Sequence, residues 1–374
     1  MKQFQISFCT VCMNRLHHLK QTLPQNIEDN ASYENLQFVV LDYNSKDGLE
    51  EWIRLYMHKY IENNRLKYYK TTEPVLFNRG HSTNLSFKLA DGEILCKVDA
   101  DNYTGKDFAF YINEQFHKNK SIFLTPIDFH KVQQKRLVPG DSFGRVCFTK
   151  KAFLAIKGFS ESMKGYGSDD YDFTNRLELA GYNRVIMDDP VFLKAIMHSD
   201  DERIGNEFIN GSLEHIYFSY LNSSDSIIIF FYRNGTFEKG TLRDNSLHKA
   251  DDYHFAYISR DYRYEYTLTE NKWVTGKWEL IRRDKVKLTY RNNTERVISI
   301  NGDSTNGKCY NGKVFKELKD DDLIKRLIVF NTQYTNRNVM LNNWLKKRII
   351  TNKKGFGEAI VYKNFNNEES ICVR

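Results

Sequence analysis

Proline is scarce in this chain, with 5 in 374 residues, and no apolar run is long. The longest, residues 227–232, is far too short to cross a bilayer. Six cysteines at positions 9, 12, 96, 147, 309 and 372 are too few and too scattered for a disulfide framework, so free thiols in a reducing compartment are expected. Cys9 and Cys12 form a CxxC, but residues three apart in a strand point to opposite faces and no second pair completes a zinc site. An excess of one charge is also missing. The 55 Lys and Arg against 48 Asp and Glu leave +7, which suits an anionic substrate or a membrane surface and demands no nucleic acid. With 41% hydrophobic and 28% charged residues, and no repeat or low-complexity tract, the composition excludes a disordered or collagen-like chain. The first 15 residues run straight into a strand-like segment with no cleavable leader, so a cytoplasmic protein is expected.

A length of 374 exceeds that of one ordinary domain. The first third alternates short apolar runs with amphipathic stretches: strands at 5–11, 36–42, 66–71 and 93–99, helices at 16–28, 48–62 and 79–90. This is the pattern of βαβ units, and it predicts an α/β fold with a mostly parallel sheet. Ligands of such sheets bind at the carboxyl ends of the strands. Those ends carry Asn14-Arg15, Asp42-Tyr43-Asn44 and Asp99-Ala100-Asp101.

Residues 107–198 continue with a helix, a strand at 121–125, an apolar stretch at 146–159 and a helix at 171–180. From about 226 to 318 the chain reads as short strands with turn signals at Asn234-Gly235, Asn301-Gly302 and Asn311-Gly312, a small all-β module in which Trp273 and Trp278 serve either as core or as sugar platforms. The last stretch, 320–365, returns to helical periodicity and then to a Gly-containing turn, Lys354-Gly355-Phe356-Gly357. The expected organisation is a catalytic domain over 1–221, an inserted β module over 222–320, and a helical segment and tail over 321–374 that packs back on the first domain. The basic triplet Lys346-Lys347-Arg348 either touches an anionic membrane or forms a solvated helix face.

Two constellations carry chemistry. Asp99 and Asp101 at the end of an apolar strand can hold a hard divalent cation beside phosphate oxygens, although carboxylates at a strand end are also ordinary turn formers. In Gly165-Tyr166-Gly167-Ser168-Asp169-Asp170, adjacent acids at the mouth of a helix can act as a general base, bind a sugar hydroxyl or cap the helix. A third signal, His198, follows an apolar stretch; a lone histidine is more often structural.

Five motifs occur in the order and approximate spacing of inverting β-1,4-galactosyltransferases: Met13-Asn14-Arg15-Leu16-His17-His18-Leu19-Lys20, Phe77-Asn78-Arg79-Gly80, Asp99-Ala100-Asp101, the run from Gly165 to Asn175-Arg176, and His198-Ser199. Over residues 4–205 the chain resembles that group, and chondroitin-synthase-like and family-two glycosyltransferases look similar. The resemblance implies a GT-A fold. It places Asn14, Arg15 and Asp42 against the nucleotide, Arg79 on the diphosphate, Asp101 and His198 on a divalent metal (Mn2+ or Mg2+), and Asp99 and Asp169 on the donor-sugar side. Tyr166 takes the place of a loop aromatic over donor and acceptor, and Asp170 that of the base. Departures are Met13 for arginine, Tyr166 for tryptophan, Asp169 for glutamate and Ala195 for a methionine ligand. The expected activity is inverting transfer of a hexose or N-acetylhexosamine, galactose type favoured, from a UDP-sugar to a glycan or lipid-linked oligosaccharide acceptor in bacterial surface polysaccharide synthesis. The alternatives are a retaining N-acetylgalactosaminyltransferase-like enzyme and a carbohydrate-binding protein without turnover.

Overall fold

The computed structural model describes residues 2–126, 142, 144–199, 202, 204–206, 212–220, 225–233, 237–243, 276–282, 285–290, 295–299, 308–310, 313–319 and 321–374. The chain divides into two compact units, one of Met1–Lys164, Ser168–His198 and Asn342–Arg374, the other of Gly165–Gly167 and Ser199–Leu341.

The first unit begins with β1 (Ile6–Cys12), α1 (Leu16–Asp29), β2 (Leu36–Tyr43), α2 (Leu49–Tyr56), α3 (His58–Glu62), β3 (Leu66–Thr71), α4 (Arg79–Leu89) and β4 (Ile94–Lys97). It continues with α5 (Phe108–Lys118), β5 (Ile122–Thr125), β6 (Cys147–Thr149), α6 (Lys150–Ala155), α7 (Asp169–Leu179) and β7 (Asn183–Ile186). The second unit holds β8 (Leu213–Tyr220), β9 (Asp225–Tyr232), β10 (Phe237–Arg243), β11 (Gly276–Arg282), β12 (Lys285–Tyr290), β13 (Glu295–Ser299), β14 (Lys308–Tyr310) and β15 (Lys313–Glu317). Helix α8 (Asp321–Leu345) and strands β16 (Ala359–Lys363) and β17 (Asn366–Val373) follow.

One nine-stranded sheet, β17-β16-β3-β2-β1-β4-β6-β5-β7, organises the first unit. The stretch β3-β2-β1-β4 is parallel, and β6 runs antiparallel to both β4 and β5. All eight residues of β2 are buried, which is why it reads as a continuous apolar run: helices cover both faces of such a sheet. Phe8 and Val40 pack with Leu19, Leu23 and Ile112 on one face, while Val39, Leu41 and Leu95 pack with Leu85, Phe153 and Phe173 on the other. Cys9 and Cys12 fall in these two opposite clusters, and burial pushes both thiols well up. They are protonated core residues.

The tail is stitched to the sheet. Arg176 of α7, fully buried, donates to Asp172 Oδ2 at 2.7 Å, to the Gly158 carbonyl at 2.8 Å and to the Ile349 carbonyl at 3.2 Å. Asn343 donates to the other Asp172 oxygen at 2.8 Å, and Asn352 to the Phe159 carbonyl at 2.6 Å. Arg176, quoted above as part of a sugar-site motif, is thus a structural cation. Removing one partner of a buried, hydrogen-bonded pair strands the other charge, so Arg176→Met is expected to destabilise the protein by about 3–5 kcal/mol in urea unfolding. A loss below about 1 kcal/mol would be that of an exposed pair and would contradict this placement.

Two differences from the sequence reading concern the ends of elements. Helical structure stops at Leu345, and the residues beyond form a hairpin in which β16 pairs antiparallel with β3. Its turn places Asn364 and Phe365 at φ 48° and 68°, the left-handed pair that a tight hairpin requires. Strand β17 is exposed almost throughout, so no alternation marks it in sequence. At the other end, α7 opens at Asp169 and not at Tyr171, which puts both Asp169 and Asp170 in its first turn.

The second unit contains a five-stranded sheet, β10-β9-β8-β15-β14, and a three-stranded one, β11-β12-β13. Because β8 pairs with β9, this unit starts at Ser199, ahead of the expected boundary at 222. Ile204, Ile328 and Val329 form a small cluster with Tyr166, Leu213 and Ile324 against it. Trp273 and the three Asn-Gly turns lie outside the described residues. Among the described residues no helix is long and apolar enough to cross a membrane.

Candidate active site

The carboxyl ends of β1 and β2 are tied into one surface. Asn14 adopts a left-handed φ of 56°, and its side-chain oxygen accepts from Lys46 N at 2.7 Å while its own N–H donates to Ser45 Oγ at 3.2 Å. Arg15 caps α1 with its carbonyl, which accepts from the N–H of Leu19 at 3.1 Å. Asp42 does not face this surface. Only 1% exposed, it accepts from Ser45 N and from the Tyr68 hydroxyl, each at 2.7 Å. Burial raises its carboxyl above the usual range despite those bonds. Through the first of these bonds Asp42 braces the Ser45-Lys46 loop. Beside that loop lies a cleft of about 450 Å³ lined by Ser45, Lys46, Gly48, Leu49, Glu50, Glu51, Arg54 and Lys70. Arg79 sits in the first turn of α4, behind the Asn78 cap, with its guanidinium 5.6 Å from the centre of the Phe77 ring.

At the end of β4 the chain turns so that Asn102 bridges antiparallel to Ala195, with Ile196 N donating to the Asp101 carbonyl at 2.8 Å. That bridge brings His198 back to the sheet. His198 Nε2 lies 2.8 Å from Asp101 Oδ2, and the Asn102 amide holds Asp101 Oδ1 at 2.8 Å. Burial works to raise the Asp101 carboxyl, but the hydrogen bond and charge of His198 outweigh it and leave it below the ordinary value. Behind the pair, fully buried Arg145 donates to Asn102 Oδ1 at 3.1 Å. The His18 ring stands 5.7 Å from that of His198.

A second constellation forms where α7 meets β4. Lys97, 9% exposed, points its ammonium at Asp170 Oδ1 at 2.8 Å and at Asp99 Oδ1 at 3.5 Å. Burial, together with the charges of Asp169 and Asp99, pushes Asp170 up to about 7 against the pull of Lys97. For Lys97 burial works downward, and the three carboxylates around it reverse the sign and raise it. An imidazole-carboxylate pair thus sits at one strand end and a carboxylate poised near neutrality on another element, an arrangement able to hold a cation and accept a proton separately.

Residues 7–189 match the sequence profile of glycosyl transferase family 2. That stretch of the chain, just under half of it, is similar to family 2 glycosyl transferases. The first unit, with its mostly parallel sheet, has the GT-A fold. Among solved structures the chain is similar to the mannosyltransferase PcManGT from Pyrobaculum calidifontis in complex with GDP-Man and Mn2+, at 20% identity over 53% of this chain and 58% of that one, with a TM-score of 0.43. It is also similar to S. aureus TarS 1-349 in complex with UDP-GlcNAc, at 18% identity over 52% of this chain and 59% of that one, with a TM-score of 0.43. The chain spans less than two thirds of either. No curated protein matches it.

The structure brings Asp101 to His198 and, through Lys97, Asp99 to Asp170, and it joins Asn14 to the β2 loop. Tyr166 belongs to the second unit, where it packs against Ile204, Ile328 and Val329. Sequence reasoning missed Lys97, Gly144 and Arg145. The signal for Lys97 is a lysine in an otherwise apolar strand; for the other two, no periodicity marks them. A Cβ added at Gly144 would stand 2.6 Å from Asp99 Oδ2, 2.7 Å from Lys97 Nζ and 3.1 Å from Asp170 Oδ2. Gly144→Ala is therefore expected to cut turnover at least tenfold, with less than about 1 kcal/mol lost in stability, because the methyl displaces charged groups and leaves the apolar core intact. Unchanged steady-state kinetics would show that these groups are not used.

Proposed function

We propose that this transferase moves a hexose or N-acetylhexosamine, galactose type favoured, from a UDP-sugar to a hydroxyl of a glycan or lipid-linked oligosaccharide, with inversion and with a divalent cation. The observation that carries the reading is the separation of roles: the Asp101-His198 pair lies at the end of β4, while Asp170 stands on α7. Asp101 and His198 are the residues that would hold Mn2+ or Mg2+, the carboxylate being the ligand type that suits such hard cations. Ala195 contributes no ligand atom, which leaves the remaining positions to phosphate oxygens and water. When bound, the cation neutralises charge on the departing diphosphate.

The chain's own residues supply the rest. Asn14, Arg15 and the β2 loop, braced by Asp42, hold the nucleotide beside the cleft, and Arg79 meets the diphosphate. Asp99 and Asp169 bind donor-sugar hydroxyls. Asp170 takes the proton of the acceptor hydroxyl as its oxygen bonds to the anomeric carbon; the bond from that carbon to the diphosphate breaks, and the electron pair leaves on the diphosphate. The β-rich unit reads as an insertion, since the chain leaves the catalytic unit after His198 and re-enters it at Asn342. A site at the cytoplasmic face of a membrane, within bacterial surface polysaccharide synthesis, is the setting this activity suits. The test is turnover across a panel of UDP-sugars with Mn2+ and with EDTA: a UDP-hexose or UDP-N-acetylhexosamine is expected to be consumed only with the metal, and consumption unaffected by EDTA would reject the reading.

A further inference from the structure

We infer that Lys97 is a positioning residue for transfer, whose ammonium group grips one oxygen of Asp170 and keeps that carboxylate ionised and turned toward the acceptor. The inference rests on the reading of Asp170 as base. Leu95 and Lys97, two apart in β4, share the sheet face on which Phe159 and Phe173 pack. Lys97 thus occupies a position where the strand otherwise buries apolar side chains, and the Phe159 ring centre is 6.0 Å from its ammonium. A buried ammonium there needs charged partners. It finds Asp170 Oδ1 at 2.8 Å and Asp99 at 3.5 Å.

The two oxygens of Asp170 are thereby distinguished. Oδ1 is taken by Lys97, whereas Oδ2 points to the bare Cα of Gly144, 3.1 Å from where a Cβ would lie. Asp99 Oδ2 and Lys97 Nζ converge on the same point. Among the described residues, three charged groups converge where Gly144 carries no side chain, which makes a place for a polar substrate atom that an ordinary structural ion pair does not need. Oδ2 is the oxygen that accepts the proton.

The charges facing Asp170 are Lys97 from β4, Asp99 just beyond that strand, and Asp169 of α7 itself. Among the described residues only Lys97 favours the ionised form. Without it, burial and two like charges leave Asp170 protonated at neutral pH and unable to act as base.

The test is kcat/KM for UDP-sugar turnover with Mn2+ across pH. The unaltered enzyme should lose activity as pH falls through about 7. Lys97→Met should move that acid limb upward by roughly 1–3 pH units, so that activity returns in alkaline buffer, while Lys97→Arg should leave it near its original place. A folded Lys97→Met with an unmoved limb overturns the inference. Should that variant fail to fold, lysine 15N NMR of the unaltered protein decides: the Lys97 resonance should shift with the midpoint of the acid limb, and a resonance indifferent to that midpoint overturns the inference. If Asp170→Asn keeps the same limb, the base assignment itself is what fails, and the role of Lys97 falls with it.

Discussion

Asp170→Asn is expected to lower UDP-sugar turnover roughly 10²–10⁴-fold, the usual contribution of a positioned general base, while UDP and Mn2+ bind as before. A sugar hydroxyl is a weak nucleophile, and its proton must leave as the new bond forms. Asp169 is the rival. Both acids lie in the first turn of α7, and adjacent helical residues point about 100° apart, so only one can face the acceptor. Asp169 is 7% exposed and contributes to raising Asp170 by its charge, whereas Asp170 shares a bare point with Asp99 and Lys97. Asp169→Asn should accordingly weaken use of the donor sugar and leave the proton step intact. Steady-state kinetics and isothermal titration with UDP separate the two. Loss of turnover in Asp169→Asn alone would reverse the roles, and full activity in both would remove the inverting mechanism.

A comparably large effect is expected at the end of β4. Asp101→Asn should abolish Mn2+-dependent turnover, because the amide gives up the charge that attracts a hard cation and cannot pair as strongly with His198, 2.8 Å away. Loss of metal-dependent charge stabilisation at a leaving group is commonly several kcal/mol, or about a thousandfold and more in rate. Titration of Mn2+ by electron paramagnetic resonance, in the presence of UDP, checks the same point without turnover. Tight Mn2+ binding that survives Asp101→Asn would place the cation elsewhere.

Much of the catalytic unit could be read from sequence, because a parallel sheet buried on both faces writes itself as apolar runs. Strands β1 to β4 were legible in this way, and so was the gathering of Asn14, Asp42 and Asp101 at their carboxyl ends. What pattern cannot show is which polar group turns inward. Asp42 looks like a ligand-facing acid, yet Tyr68 and Ser45 enclose it. Arg176, beside the acids of α7, looks like part of the sugar site and instead pins the tail to the sheet. Lys97 is the converse: a basic residue two positions before the Asp99-Ala100-Asp101 motif that becomes meaningful only once α7 delivers Asp170 to it. The antiparallel strand β6 and the parallel edge strand β7, three and four residues long, carry too little alternation to be recognised. Strand β17 is exposed and polar, so nothing in its composition separates it from a solvated tail.

The central claim, inverting transfer with Asp170 as base, is tested most directly by the anomeric configuration of the first-formed product. UDP-hexoses are α-linked, so proton NMR recorded during enzyme-catalysed transfer, or during slow donor hydrolysis when no acceptor is supplied, should show the β-anomer appearing first, with the α-anomer growing only by mutarotation of free sugar. An α-anomer formed first would mean retention, and a mechanism in which Asp170 is not the base.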